Sequence, residues 1–154
     1  MLQKIIEVNH DLCTGCRYCE QICSFQFYKA INPNLARIKI VKTEAGLNVP
    51  VVCEHCEEAF CRDICPVMAI KRDSKTGAIV IDEELCVGCR ACAVACPFGM
   101  IVIDPRNGRA TKCDLCGGEP RCVKYCTTEA LRYVKTSRAF EAKRIAKARE
   151  IAHF

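Results

Sequence analysis

Tryptophan is absent from this 154-residue chain, and aromatic residues of all kinds make up only 6% of it. A chain so short and so poor in large apolar side chains builds a thin core, as one compact unit or two very small ones, and a bound group has to supply part of its stability. Long apolar runs are missing too. The longest uncharged stretches, such as Ala78-Ile79-Val80-Ile81, fall far short of the roughly 20 residues a spanning helix needs, which argues against direct membrane insertion. The opening Met1-Leu2-Gln3-Lys4-Ile5-Ile6-Glu7 has neither an apolar signal core nor a small-residue cleavage site, so the expected location is cytoplasmic. No G-x-G-x-x-G phosphate cradle and no nucleophile–base set stand out, so no catalytic residue is assigned and the chain carries no substrate chemistry of its own.

What the chain has instead is cysteine, sixteen residues of it. Cys86-Val87-Gly88-Cys89-Arg90-Ala91-Cys92-Ala93-Val94-Ala95-Cys96-Pro97 has the spacing C-x2-C-x2-C-x3-C-P, the ferredoxin run for a cubane [4Fe–4S] cluster. Three thiolates so spaced wrap one loop around three irons of a cube. The fourth is carried too far round to cap the same cube and ligates a neighbouring one. Gly88 suits a loop whose backbone must approach the sulfurs, and Pro97 ends the run. Cys13, Cys16, Cys19 and Cys23 repeat the spacing, with Ser24 in place of the proline. Cys53, Cys56, Cys61 and Cys65, followed by Pro66, widen the middle gap. Cys113, Cys116, Cys122 and Cys126, followed by Thr127, widen it again. These four runs use every cysteine in the chain.

A secreted disulfide scaffold has no reason to repeat this arrangement four times, and it lacks the expected leader. Four-cysteine zinc sites use two C-x2-C pairs, not a triple C-x2-C-x2-C followed by C-x3-C. Iron in four cubes is the expected metal, and such clusters favour a reducing compartment. The formal charge of +5 counts cysteine as neutral. Sixteen thiolates and four cubane cores of roughly +2 each bring the holo-protein to about −3. The basic residues therefore balance cluster charge, and with no recognition-helix pattern no nucleic acid partner is expected.

Between the runs the sequence alternates in the strand period. Lys4–Val8, Ala36–Thr43, Val49–Val52, Ala78–Asp82, Phe98–Asp104 and Thr128–Val134 are expected as strands, with another short strand after Met68. Asn32-Pro33-Asn34, Gly46-Leu47-Asn48 and Pro105–Gly108 are expected as turns, and Ser24–Ile31 continues a helix out of the first run. The tail, 137–154, has no Cys, Gly or Pro. It is expected to be a helix capped by Ser137, with Phe140 and Glu141 just inside and Ile145, Ala148, Ile151 and Ala152 on one face. It either packs on its own domain or docks on a partner. His10 and His55 are expected in surface loops, His55 between two cysteines where a cluster-tuning role competes with that reading. Arg17, Arg90 and Lys112, in or beside the runs, either favour a reduced, more negative cube or are solvated loop charges.

Asn32–Ile38, Val49–Cys56, Cys86–Gly99, Lys112–Cys116 and Pro120–Val123 carry a resemblance spanning residues 4–135. The chain resembles the four-cluster, ferredoxin-like electron-transfer subunits of complex iron–sulfur oxidoreductases. These include the B-type subunits of dimethyl sulfoxide reductase and formate dehydrogenase and soluble relatives serving hydrogenases and tungsten enzymes. It looks most like the small subunit of a soluble tungsten aldehyde oxidoreductase. Thr127 for the usual proline and the Ala/Lys-rich tail depart from the pattern.

The resemblance implies an α+β fold of two ferredoxin-like two-cluster modules, one inserted in the other, plus a C-terminal helix. The outer module would take residues 1–50 and 107–135, the inserted one 51–106, and the helix 136–154. It also implies ligand sets that agree with the fourth-cysteine rule. These are Cys86, Cys89 and Cys92 with Cys65; Cys53, Cys56 and Cys61 with Cys96; Cys13, Cys16 and Cys19 with Cys126; and Cys113, Cys116 and Cys122 with Cys23. The four cubes would form a file conducting single electrons between a catalytic subunit, a tungsten or molybdenum–pterin enzyme by preference, and a redox partner such as a ferredoxin or flavin subunit. The competing readings are a free polyferredoxin shuttle and the electron-transfer subunit of a hydrogenase or formate dehydrogenase.

Overall fold

The computed structural model describes residues 4–137 together with 144, 145 and 148. Within them, short strands form four separate two-stranded antiparallel ladders and no larger sheet. The strands are β1 (Lys4–Val8), β2 (Lys39–Lys42), β3 (Asn48–Val51), β4 (Ile70–Arg72), β5 (Ile79–Ile81), β6 (Val102–Ile103), β7 (Ala110–Thr111) and β8 (Leu131–Lys135). The α-helices with both ends among the described residues are α1 (Tyr18–Tyr28), α2 (Phe60–Asp63), α3 (Ala91–Ala95) and α4 (Arg121–Lys124). Three ladders are hairpins, β2–β3, β4–β5 and β6–β7. The fourth pairs β1 with β8, with Ile6 opposite Tyr133.

Two of the hairpins turn on the same device. Asp73-Ser74-Lys75-Thr76-Gly77 and Asp104-Pro105-Arg106-Asn107-Gly108 both end on a glycine with positive φ, +74° and +70°. Each glycine N–H donates to the carbonyl of its aspartate, at 2.9 and 2.8 Å. Each aspartate side chain accepts backbone N–H groups from inside the turn, Thr76 at 2.7 Å and Arg106 at 2.9 Å. A short carboxylate bonding its own turn is why aspartate opens such loops. Asp104 is buried and closed over by the Arg106 guanidinium, which holds its carboxyl below the usual range.

The ladders are shorter than the alternation suggests, because cysteine sulfur competes for backbone donors. The Arg37 N–H is taken by Cys23 Sγ at 3.3 Å, so β2 begins at Lys39 and not at Ala36. The Met100 N–H donates to Cys96 Sγ at 3.4 Å, and Gly99 turns with φ +62°, so the exit strand shrinks to Val102–Ile103. Helix α1 stops at Tyr28, where Lys29 adopts φ +55° and its N–H caps the Phe25 carbonyl; it does not run to Ile31. The tail helix falls mostly outside the described residues. Thr136 and Ser137 are helical, so Ser137 lies within the first turn and does not cap it; Arg144, Ile145 and Ala148 are helical and exposed.

Buried side chains form two clusters. One gathers Ile6, Ala36, Ile38, Ile40, Val52, Leu115 and Leu131 with Cys19, Cys23 and Cys122. The other gathers Ala59, Ile70, Ile79, Ile101 and Ala110 with Cys92. Helix α1 packs on α4, and α2 on α3.

Leu131 is 2% exposed and stands where β8 meets the first cluster. Leu131→Ala is expected to destabilise the fold by about 2–5 kcal/mol, as truncation of a buried leucine leaves a cavity. A lowered midpoint for thermal bleaching of the anaerobic holo-protein is the result expected; an unchanged midpoint would show that β8 does not close the core.

Candidate metal centres

Each cysteine run begins C-x-x-C, and in each the residue before the second cysteine takes a left-handed backbone. The φ angles are +71° at Gly15, +48° at His55, +72° at Gly88 and +58° at Leu115. This conformation curls the loop so that successive thiols face one point. Glycine adopts it freely, whereas a residue with a Cβ is strained by about 1–2 kcal/mol. His55 and Leu115 offset that strain by burial, at 2% and 1% exposure. Three runs also leave alike. Met68, Gly99 and Glu129, each three residues past the last cysteine, have φ of +51°, +62° and +54°. Each returns its N–H to that cysteine's carbonyl at 3.2 Å. In two of them the next N–H reaches the sulfur itself, Ala69 to Cys65 at 3.3 Å and Met100 to Cys96 at 3.4 Å.

The loops bring the cysteines around cavities. Cys53, Cys56, Cys61 and Cys96 line one, with His55 and Lys112 in its wall. Cys65, Cys86, Cys89 and Cys92 line a second. Cys23, Cys113, Cys116 and Cys122 line a third, beside Arg37 and Asp114. In all three, three cysteines of one run meet the last cysteine of another. Cys16 and Cys126 lie close enough to Cys19 to raise its pKa by their charge. Cys13 packs on the same core. Cysteines of different runs also lie close enough to act on one another by charge. Cys19 acts on Cys122, Cys53 on Cys113, and Cys61 on Cys92. Each of these pairs joins cysteines of different runs.

All sixteen thiols are free of disulfides. Burial is the main cause pushing the inner ones up, Cys19 to about 12 and Cys23 and Cys92 to about 11. Cys113 and Cys122 are raised further, and Cys56, Cys61 and Cys116 are raised as well. Such thiols ionise only when positive charge sits among them, which the irons of a cube supply. Among the described residues, no three His, Cys, Asp or Glu side chains converge tightly enough to hold a single metal ion. Thiols spread around a void fit a cluster bonded at its corners and not a lone zinc. The donor set therefore fits [4Fe–4S] clusters.

One expectation about the neighbouring residues is corrected, and one open reading is narrowed. His55 is not in a surface loop: it is 2% exposed, and its Nδ1 accepts the Ile79 N–H at 3.1 Å. Burial is the first cause that lowers its pKa, to about 3, and nearby Lys112 adds to it. Lys112 is not a solvated loop charge: it is 3% exposed, and its Nζ donates to the Ile79 and Cys113 carbonyls. His10 is exposed, as expected, but stands in a single 3-10 turn (His10–Leu12) beside Asp11, and Arg17 and Arg90 are exposed. The sequence also passed over Arg37 and Glu20. Arg37 lies flat on Phe27 at 3.5 Å and reaches Glu83 and Asp114 at 3.6 and 3.5 Å. Glu20, 3% exposed within α1, accepts the Ile40 N–H at 2.9 Å. Aligning the four runs against one another would have exposed His55, which stands where two other runs carry glycine; nothing comparable marks Lys112 or Glu20.

A family model described as a 4Fe-4S dicluster domain matches residues 45–136, and one described as a 4Fe-4S binding domain matches residues 6–28. The polyferredoxin-like subunit of an aliphatic sulfonate oxidoreductase from Pyrococcus furiosus is 42% identical over 121 residues, covering 79% of this chain and 70% of that one. The B subunit of the anaerobic dimethyl sulfoxide reductase of Escherichia coli is 31% identical over 147 residues, covering 82% of this chain and 70% of that one. A structure of the active site complex of benzoyl coenzyme A reductase contains a polypeptide that matches with a TM-score of 0.50 and 30% identity, covering 86% of this chain and 75% of its own length.

Two glycines separate loop geometry from mere tolerance. A Cβ at Gly88 would lie 2.8 Å from the Gly108 carbonyl oxygen, a backbone atom that cannot swing away, whereas one at Gly99 would meet nothing within 4 Å. Gly88→Ala is expected to cost one cluster's share of iron and labile sulfide; Gly99→Ala, with only left-handed strain of about 1–2 kcal/mol, should retain the full complement. Equal retention in both would refute the wrapped-loop account.

Proposed function

Because the chain belongs to the 4Fe-4S dicluster family and is a multi-cluster iron–sulfur electron-transfer subunit, we propose that it conducts single electrons through four [4Fe–4S] clusters between a catalytic oxidoreductase subunit and a redox partner. The observation that carries this is the crossed lining of three cavities, each by three thiols of one run and the last thiol of another. The proposed ligand sets are Cys13, Cys16, Cys19 and Cys126; Cys113, Cys116, Cys122 and Cys23; Cys53, Cys56, Cys61 and Cys96; and Cys86, Cys89, Cys92 and Cys65. When bound, the clusters supply the chemistry, each taking up and releasing one electron.

The chain's own residues do the rest. Loops with left-handed corners hold the thiols, backbone N–H groups donate to Cys23, Cys65, Cys96 and Cys113, and two apolar clusters keep water from the inner groups. Cys16 and Cys89 are the two exposed cysteines, and in the proposed file they belong to the two end cubes. That supports entry and exit of electrons at those two faces. The nested arrangement, residues 51–106 inserted between 1–50 and 107–135, is supported by the packing of α1 on α4 and of α2 on α3. Val52 and Ala78 join the first apolar cluster, so the inserted module packs into the outer one.

For the catalytic partner, the proposal keeps a tungsten or molybdenum–pterin aldehyde oxidoreductase, on the sequence resemblance. The relatives' names, which range over sulfonate, sulfoxide and benzoyl-CoA enzymes, support a catalytic subunit without choosing its substrate. Among the described residues no helix is long and apolar enough to cross a membrane. The proposed site of action is the cytoplasm.

Anaerobically purified protein should carry about sixteen irons and as many labile sulfides per chain, with interacting cubane EPR signals after dithionite reduction. Zinc, or about half that iron, would sink the four-cluster reading. Native purification should bring down a larger subunit containing tungsten or molybdenum; a lone chain on gel filtration would identify a free polyferredoxin shuttle instead.

A further inference from the structure

One cavity wall differs from the others. His55 Nδ1 accepts the Ile79 N–H at 3.1 Å, so the ring's proton is on Nε2. That Nε2 is fully buried and has no hydrogen-bond partner among the described residues. The ring belongs to the wall of the cavity ringed by Cys53, Cys56, Cys61 and Cys96. A buried N–H left unpaired is costly, and the acceptor that this cavity offers is sulfur. Lys112 belongs to the same wall. Its ammonium is buried, it donates only to carbonyls, and no ion pair among the described residues includes it. Glu83 and Asp114 line a shared cavity with it, but both carboxylates are engaged by Arg37. A buried cation without a carboxylate needs an anion nearby. Arg37, the other buried lysine or arginine among the described residues, is matched by two carboxylates.

We propose that His55 and Lys112 are a potential-setting pair for the cube held by Cys53, Cys56, Cys61 and Cys96. His55 Nε2–H donates to a sulfur of that cube, and the Lys112 ammonium supplies its counter-charge, so both favour its more negative, reduced state. The inference rests on the ligand set proposed above. It makes this inner cube a site with its own potential, set by side chains that the neighbouring cavities lack.

The test is an anaerobic redox titration of the full-length holo-protein followed by EPR, on variants shown to keep the wild-type iron and sulfide content. His55→Leu removes the donor in a loop position where Leu115 already stands in the fourth run. Lys112→Met removes the charge. Each is expected to lower one midpoint, the same one in both variants, by about tenfold in its reduction equilibrium, or 59 mV for one electron. Lys112→Arg should hold that midpoint near the wild-type value. Wild-type protein labelled with 15N-histidine supplies a readout free of any substitution: pulsed EPR should detect one nitrogen coupled to a reduced cube. Unmoved midpoints at full iron content, different midpoints moved by the two variants, or no coupled nitrogen would overturn the pairing. A low iron content in the wild type would overturn the four-cluster reading instead, so the two failures are distinguishable.

Discussion

Everything in this fold follows from how few residues close a loop around a cluster. Three thiols spaced two residues apart face one point only if the backbone between them turns left-handed, and the chain does so in all four runs. The fourth thiol, already on its way into the next element, points elsewhere. No run is therefore complete alone, and the runs must be brought together in pairs. The helix pairs α1–α4 and α2–α3 do this locally. The β1–β8 ladder does it for the chain as a whole, fastening residues 4–8 to residues 131–135. The paired loops are common to the whole molecule; the hairpins are spacers whose length is limited by sulfur taking their N–H groups.

That arrangement places unusual weight on a few buried polar groups. The apolar side chains of the two clusters are mostly alanine, isoleucine and leucine, with no fully buried aromatic. A core so small leaves the thiol-lined voids as much of its interior. Empty, those voids would hold neutral, desolvated thiols with raised pKa values. Metal binding is therefore folding energy here, and the two are inseparable. Glu20 and Arg37 fit the same logic. Glu20 caps the Ile40 N–H at the start of a ladder, and Arg37 offers its own N–H to Cys23 while its guanidinium spans Phe27, Glu83 and Asp114. Each ties a hairpin to a cysteine loop.

The cysteine runs and the hairpins between them were legible because both are local codes. C-x2-C spacing, Asp-x-x-x-Gly turns and strand alternation depend on residues close in sequence. The grouping of Cys96 with Cys53, or of Cys23 with Cys113, was reached through family resemblance and the fourth-cysteine rule, since no local pattern says which run meets which. The burial of His55 and Lys112 is hidden from the sequence for a related reason. A histidine flanked by acidic residues and a lysine beside a cysteine look solvated in one dimension. Their burial comes from β5, whose Ile79 offers an N–H to one and a carbonyl to the other across 24 and 33 residues of chain. Strand ends were overestimated because alternation marks which side chains face inward and not which N–H groups are already committed to sulfur.

A chain built by repeating one loop four times would, with nothing added, surround its clusters alike. The departures from repetition are therefore the informative part. At the left-handed corner of the loop two runs keep glycine, one carries leucine and one histidine. Leucine answers the strain of that corner with packing alone. Histidine answers it with a ring whose one nitrogen is satisfied by the protein and whose other is not. The cations follow the same division. Arg37 spends its charge on two carboxylates before it can act on the cavity beside it, whereas Lys112 reaches only carbonyl oxygens, which lower its energy without cancelling its charge. Two adjacent cavities of the same construction thus differ in uncompensated charge. In the proposed conducting file that difference, and not the ligands, would decide where an electron rests between transfers.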